Sequence, residues 1–170
     1  GLDVYLIDWG YPDGADRALT LEDYICRYVD GAVDFVCEAA HQTQVNLFGI
    51  CQGGTFSVCY SALNPTKVRN LITTVTPIDF HTPNDMLSHL FRHVDVDLLV
   101  DSSGNISGGM LNMIFLSLKP FRLTQQKYVH MVDGLDDLEA TRMFMRMEKW
   151  IFDSPALAGA AFREFAIGFY

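Results

Sequence analysis

Apolar residues follow one rhythm in the first half of this 170-residue chain and another in the second. Leu2-Asp3-Val4-Tyr5-Leu6-Ile7 is a nearly continuous apolar run, closed by the turn-forming cluster Asp8-Trp9-Gly10-Tyr11-Pro12-Asp13-Gly14, which predicts a buried strand and then a loop. Thr20 follows as a helix N-cap, with Glu22 and Asp23 in the first turn, where the helix dipole favours negative charge. Leu21, Ile25, Tyr28, Val29, Ala32, Val33 and Val36 share one stripe at helical spacing, so an amphipathic helix is expected to run to about Ala40.

Val45-Asn46-Leu47-Phe48-Gly49 predicts a short buried strand. The stretch from Gln52 to about Leu63 predicts a helix that Asn64-Pro65 ends, and the β-branched run Val68 to Val75 predicts a third strand. Strands alternating with helices, in runs too continuous for one-sided burial, predict a parallel sheet with helices on both faces. Three strands make a small sheet, and further strands are expected in a longer natural chain. The opening on a strand pattern and the close inside a helical one, at Phe169-Tyr170, carry the same expectation.

After Thr76-Pro77 the alternation stops. Helical patterns follow one another, broken by Pro83, Gly104, Gly108-Gly109, Pro120 and Pro155, and all seven methionines lie here. The expected organisation is therefore residues 1–76 as part of an α/β core and residues 77–170 as a helical cap.

Composition narrows the function. A hydrophobic fraction of 49% supports a real core, and 12 Lys+Arg against 21 Asp+Glu, a net charge of −9, argues against a nucleic-acid partner, which needs clustered cations. The longest apolar stretch, Met110 to Leu118, contains Asn112 and Ser117 and stops at Lys119-Pro120. It falls short of the ~20 residues that span a bilayer. Four cysteines without a Cys-x-x-Cys pair suggest a reducing compartment. With no export-signal pattern at the start, the cytoplasm is the expected location.

Gly49-Ile50-Cys51-Gln52-Gly53-Gly54 sits between a predicted strand and a predicted helix, which is the context of a nucleophile elbow with sulfur as the nucleophile. A strained strand-to-helix turn exposes the nucleophile, and the glycines clear space around it. The helix N-terminus favours a thiolate at Cys51, and the Gln52 N–H points where a tetrahedral oxyanion forms. Cys26, Cys37 and Cys59 fall on helical stretches and read as small inert hydrophobes.

The base is harder to find. His41 lies at a helix end, while His81 and His130 lack a supporting pattern. His89, His93 and Asp97, spaced by four, would share one helix face; further metal ligands are not identifiable, and no metal site is expected. Asp79 follows the third strand, where some enzymes of this fold hold their acid, and Asp8 looks like a loop-ordering residue. Arg69, Arg92, Lys119, Arg122 and Lys127 are available to phosphates but read by default as solvated charge. The acid and the base are both expected beyond Tyr170.

Several segments together resemble one family. Gly1-Leu-Asp-Val-Tyr-Leu-Ile-Asp-Trp-Gly10, Gly49-Ile-Cys-Gln-Gly-Gly54, Thr76-Pro-Ile-Asp-Phe-His81, Lys119-Pro-Phe-Arg122 and Glu148-Lys-Trp-Ile-Phe-Asp153 are similar to the catalytic subunit of class III polyhydroxyalkanoate synthases, in the same order. The resemblance implies an α/β-hydrolase fold with a cap insertion. It implies (R)-3-hydroxyacyl-coenzyme A as substrate, polymerised with release of coenzyme A through a thioester on Cys51, with Gln52 as backbone oxyanion donor. It also implies no cofactor beyond the coenzyme A of the substrate, a second synthase subunit as partner in a homo- or hetero-oligomer, and work at the surface of cytoplasmic polyester granules. The alternatives are a Cys-dependent hydrolase similar to dienelactone hydrolases, and a non-catalytic binding domain that keeps the elbow.

Overall fold

The computed structural model describes residues 2–83 and 85–170. Gly1, the first residue of the first motif, lies outside the described residues. At the expected N-cap, Thr20 and Asp23 bond reciprocally: the Asp23 N–H donates to Thr20 Oγ1 at 3.2 Å, and the Thr20 N–H donates to the Asp23 carboxylate at 2.9 Å. This is a capping-box exchange that satisfies two backbone donors at once. The helix begins as a wide π turn over Asp23–Val29 and tightens into α1, Asp30–Ala39. Ile25, Val29 and Val33 are buried along it. His41 ends it at φ 52°, with the Gln42 N–H donating to the Cys37 carbonyl at 2.9 Å, a left-handed cap of the Schellman kind.

Strand β1, Val45–Ile50, helix α2, Gln52–Leu63, and strand β2, Val68–Thr74, form as the pattern predicts. The two strands pair in parallel, Asn46 beside Asn70 through Ile50 beside Thr74, with a register shift after Val45. Val45, Leu47 and Val68 pack on a core of Tyr24, Ile25, Val29, Val33, Phe56 and Tyr60. The other face carries Phe48, Ile50 and Ile72, all more than half exposed. Helices thus cover one face of this sheet among the described residues, where the continuous apolar runs predict two.

Leu2–Ile7 is not a strand. The segment has no ladder hydrogen bonds to β1 or β2, because β1 pairs only with β2 among the described residues. An extended chain becomes a strand only when a neighbour supplies bonding groups. The alternation survives without the ladder: Ile7 packs on the core and Tyr5 sets its ring edge-on to Phe35, while Leu2, Val4 and Leu6 face outward.

Among the described residues six α-helices follow the sheet: α3 Met86–Phe91, α4 Val96–Ser103, α5 Gly108–Leu118, a π turn Phe121–Gln126 continuing into α6 Lys127–Asp133, then α7 Leu138–Phe152 and α8 Gly159–Phe169. Asp85, Asp95, Ser107 and Asp137 cap four of them through their side chains. The break expected at Gly108-Gly109 falls between α4 and α5, with the two glycines in the first turn of α5, and a side chain at Gly108 would collide with the Ser154 carbonyl. Helix α8 returns to the first half of the chain: the Ala161 N–H donates to the Leu19 carbonyl at 2.9 Å, and the Leu21 N–H donates to the Glu164 carboxylate at 2.7 Å. No helix of the described residues is long and apolar enough to cross a membrane.

Candidate functional site

Cys51 stands alone between the last residue of β1 and the first of α2, at φ 51° and ψ −127°. A residue with a Cβ avoids this conformation, which costs ~1–3 kcal/mol and persists only where its surroundings hold it. Three backbone bonds do so: the Cys51 N–H donates to the Thr74 carbonyl of β2 at 3.0 Å, and its own carbonyl accepts from Gly54 at 2.8 Å and Thr55 at 3.2 Å. The residue is exposed despite being held on three sides. A sulfur presented outward at the start of a helix is what nucleophilic attack on an external carbonyl requires.

The glycines of the motif serve unequal purposes. A Cβ at Gly49 would come within 2.6 Å of the Gly54 Cα and of Ser57 Oγ, and one at Gly54 would overlap the Thr76 side chain. Gly53, by contrast, faces open space. The expectation that the glycines flanking the nucleophile clear the turn holds for Gly49, while the second tight position is Gly54.

Gln52 and Gly53 are the first residues of α2, so their N–H groups have no acceptor within the helix. Both are available to an anion at the elbow. The segment after β2 runs past this site through a second strained residue, Val75, at φ 45°. Phe80, Phe91, Phe165, Phe169 and Tyr170 gather beyond it, with Phe80 and Tyr170 ring centroids 4.9 Å apart. Burial pushes the Tyr170 phenol up to about 12, and the charge of Asp85 adds to the rise. The sequence pattern does not predict this ring cluster; the signal available is the dense spacing of Phe162, Phe165, Phe169 and Tyr170.

The other expected residues disperse. His89 belongs to α3, His93 to the turn after it and Asp97 to α4, so the three do not share one helix face: Asp95 caps a new helix between them. Asp97 pairs instead with Arg163 at 2.8 Å, and His89 Nε2 lies 3.0 Å from the Pro83 carbonyl. His41, His81 and His130 are exposed. Asp79 accepts from the His81 N–H at 2.9 Å, and Asp8 from the Gly10 N–H at 2.9 Å.

Among the cations, Lys127 is engaged by Glu148 at 2.8 Å, whereas Arg69, Arg92, Lys119 and Arg122 are exposed. Cys37 and Cys59 pack against the core, and burial pushes the Cys59 thiol up. Cys26 is exposed, in the π turn Asp23–Val29 whose buried residues are Tyr24, Ile25 and Val29.

Comparison with known proteins agrees with the fold. The α/β-hydrolase fold family matches residues 1–141. The whole chain aligns with poly(3-hydroxyalkanoate) polymerase subunit PhaC of Allochromatium vinosum at 64% identity, of Thiocystis violacea at 61% and of Synechocystis at 50%. It covers 48%, 48% and 47% of those proteins, so the chain spans about half the length of the curated relatives it matches. The elbow at Cys51, the parallel strands on either side of α2 and the match over residues 1–141 lead to one conclusion: this chain belongs to the α/β-hydrolase fold family.

Proposed function

We propose that the protein carrying this chain builds polyhydroxyalkanoate from (R)-3-hydroxyacyl-coenzyme A, with Cys51 as the covalent acyl carrier. The observation that supports this most is a strained, outward-facing cysteine at an elbow in a chain 61–64% identical to polymerase subunits. In the proposed step the Cys51 thiolate attacks the thioester carbonyl, and the N–H of Gln52 receives the developing oxyanion. The tetrahedral intermediate collapses with cleavage of the carbon–sulfur bond to coenzyme A, which leaves as the thiol with the proton taken from Cys51. The 3-hydroxyl of a second acyl unit then attacks the Cys51 thioester, forming the ester bond and freeing the sulfur.

The histidine that moves these protons and its supporting aspartate belong, on this reading, to the part of the relatives' length that the chain does not span. No resident cofactor takes part, since coenzyme A is a portion of the substrate. Residues 1–76 supply core and nucleophile and residues 77–170 the cap, joined by α8. A second synthase subunit, an oligomeric assembly and the surface of cytoplasmic polyester granules complete the reading.

Incubating the full protein with (R)-3-hydroxybutyryl-coenzyme A tests it. Polymer and free coenzyme A are the expected products. Free 3-hydroxybutyrate without polymer would replace the proposal by a hydrolase, and absence of turnover by a binding domain.

A further inference from the structure

Three polar residues are buried among the described residues, Thr55, Ser57 and Ser88, and all three hydroxyls meet backbone carbonyls, two of them from the helix that follows the elbow. Thr55 Oγ1 donates to Pro77 at 2.9 Å and Ser57 Oγ to Gly53 at 2.7 Å. Ser88 Oγ lies against the Phe80 carbonyl and 2.5 Å from the Asp85 carboxylate, its single proton serving one acceptor at a time. A buried hydroxyl without a partner costs ~1–3 kcal/mol, so each marks a place where a carbonyl must be met.

The segment Pro77–Phe80 is therefore gripped at both ends, by Thr55 from α2 and by Ser88 from α3, while Ile78 and Asp79 between them stay exposed. Thr55 also donates its N–H to the Cys51 carbonyl, so one residue connects the nucleophile to the segment beside it. The two strained residues stand on neighbouring strand ends, Cys51 after β1 and Val75 after β2, joined through the Cys51 N–H and the Thr74 carbonyl. Strain of this kind lasts only where surrounding bonds over-determine it.

We infer that Thr55 and Ser88 are positioning residues that clamp the Pro77–Phe80 segment and thereby hold Cys51 in its strained, reactive geometry. The inference rests on Cys51 being the nucleophile of the proposed reaction, and its test includes a readout independent of that reaction. In the full protein, Thr55→Val keeps the shape and removes the hydroxyl, Thr55→Ser keeps the hydroxyl, and Ser88→Ala releases the other end.

Alkylation by iodoacetamide, followed at the Cys51 peptide by mass spectrometry as a function of pH, reads the geometry directly. Turnover of (R)-3-hydroxybutyryl-coenzyme A reads its consequence. Thr55→Val and Ser88→Ala are expected to slow Cys51 alkylation across the pH range and to lower kcat about tenfold or more with little change in KM, as a misplaced reacting atom does; Thr55→Ser restores both. A Thr55→Val protein alkylated at Cys51 like the parent, or a Thr55→Ser protein as impaired as Thr55→Val, overturns the inference. If Thr55→Val does not fold, Ser88→Ala decides by the same criteria. Substrate labelling that persists in Cys51→Ala would instead defeat the proposed function, a separate outcome.

Discussion

Gly54 of helix α2 touches Thr76 so closely that only hydrogen fits: a Cβ at position 54 would lie 2.7 Å from Thr76 Cγ2 and 2.8 Å from its Cβ. Contact at this distance between a helix and the segment leaving β2 keeps the elbow compact. Gly54→Ala is expected to destabilise the protein by ~1–3 kcal/mol, as overpacking does. Gly53→Ala, which meets open space, should stay within about 0.5 kcal/mol of the parent. Urea denaturation of both variants checks the order, and equal losses would show that the contact does not govern stability.

Cys51 sits in a backbone region that glycine enters freely. Cys51→Gly is therefore expected to be more stable than Cys51→Ala by about 1 kcal/mol, the relief of strain exceeding the added flexibility of the unfolded chain. Thermal melts of the two variants measure the difference. Equal melting temperatures would mean the turn is not strained.

Stability should fall at both ends of the pH scale through a single cluster. Hydrogen bonds from Lys67 and from the Tyr60 hydroxyl hold the Asp30 carboxyl below its ordinary value, so its contribution is complete above about pH 4 and is lost as pH falls through the lowered value. Burial, and then the bond to Asp30, raise the Tyr60 phenol far above its ordinary value, so folding is favoured below about pH 10 and disfavoured as pH rises beyond it. Denaturation curves of Tyr60→Phe should lose part of the acid-side and alkaline-side dependence together. An unchanged pH profile in that variant would remove the cluster from the account.

Substrate labelling separates the cysteines. Covalent label from a radioactive acyl-coenzyme A should disappear in Cys51→Ala and persist in Cys59→Ala, whose thiol is packed against the core and harder to ionise. The 170-residue chain tested alone is expected to show no turnover, the base being supplied elsewhere on the proposed reading. Sustained polymer formation by these residues alone would contradict that placement.

The elbow and its flanking elements were legible because short-range rules govern them: β-branched runs, a glycine pair and an Asn-Pro stop delimit β1, α2 and β2 within a residue or two. What escaped depends on partners distant in sequence. Leu2–Ile7 has a strand's composition, yet strandedness belongs to a pair, and no described residue supplies the second member. The His89–His93–Asp97 spacing assumed one helix, and the Asp95 cap divides it. The Asp30–Tyr60–Lys67 cluster joins residues 30 and 37 positions apart, beyond the reach of any local pattern. Gly54 was visible as a glycine, but its neighbour Thr76 emerges only when β2 folds back beside β1.

The open face of the small sheet has a practical consequence. Phe48, Ile50 and Ile72 form an apolar strip along two strands whose outer edges lack partners among the described residues. Produced as an isolated polypeptide, these 170 residues should light up an environment-sensitive dye such as ANS and self-associate as concentration rises, because adhesive surface and free strand edges coincide. Replacing Phe48 and Ile72 with threonine, which keeps β-propensity while reducing greasiness, offers a route to a well-behaved sample for spectroscopy.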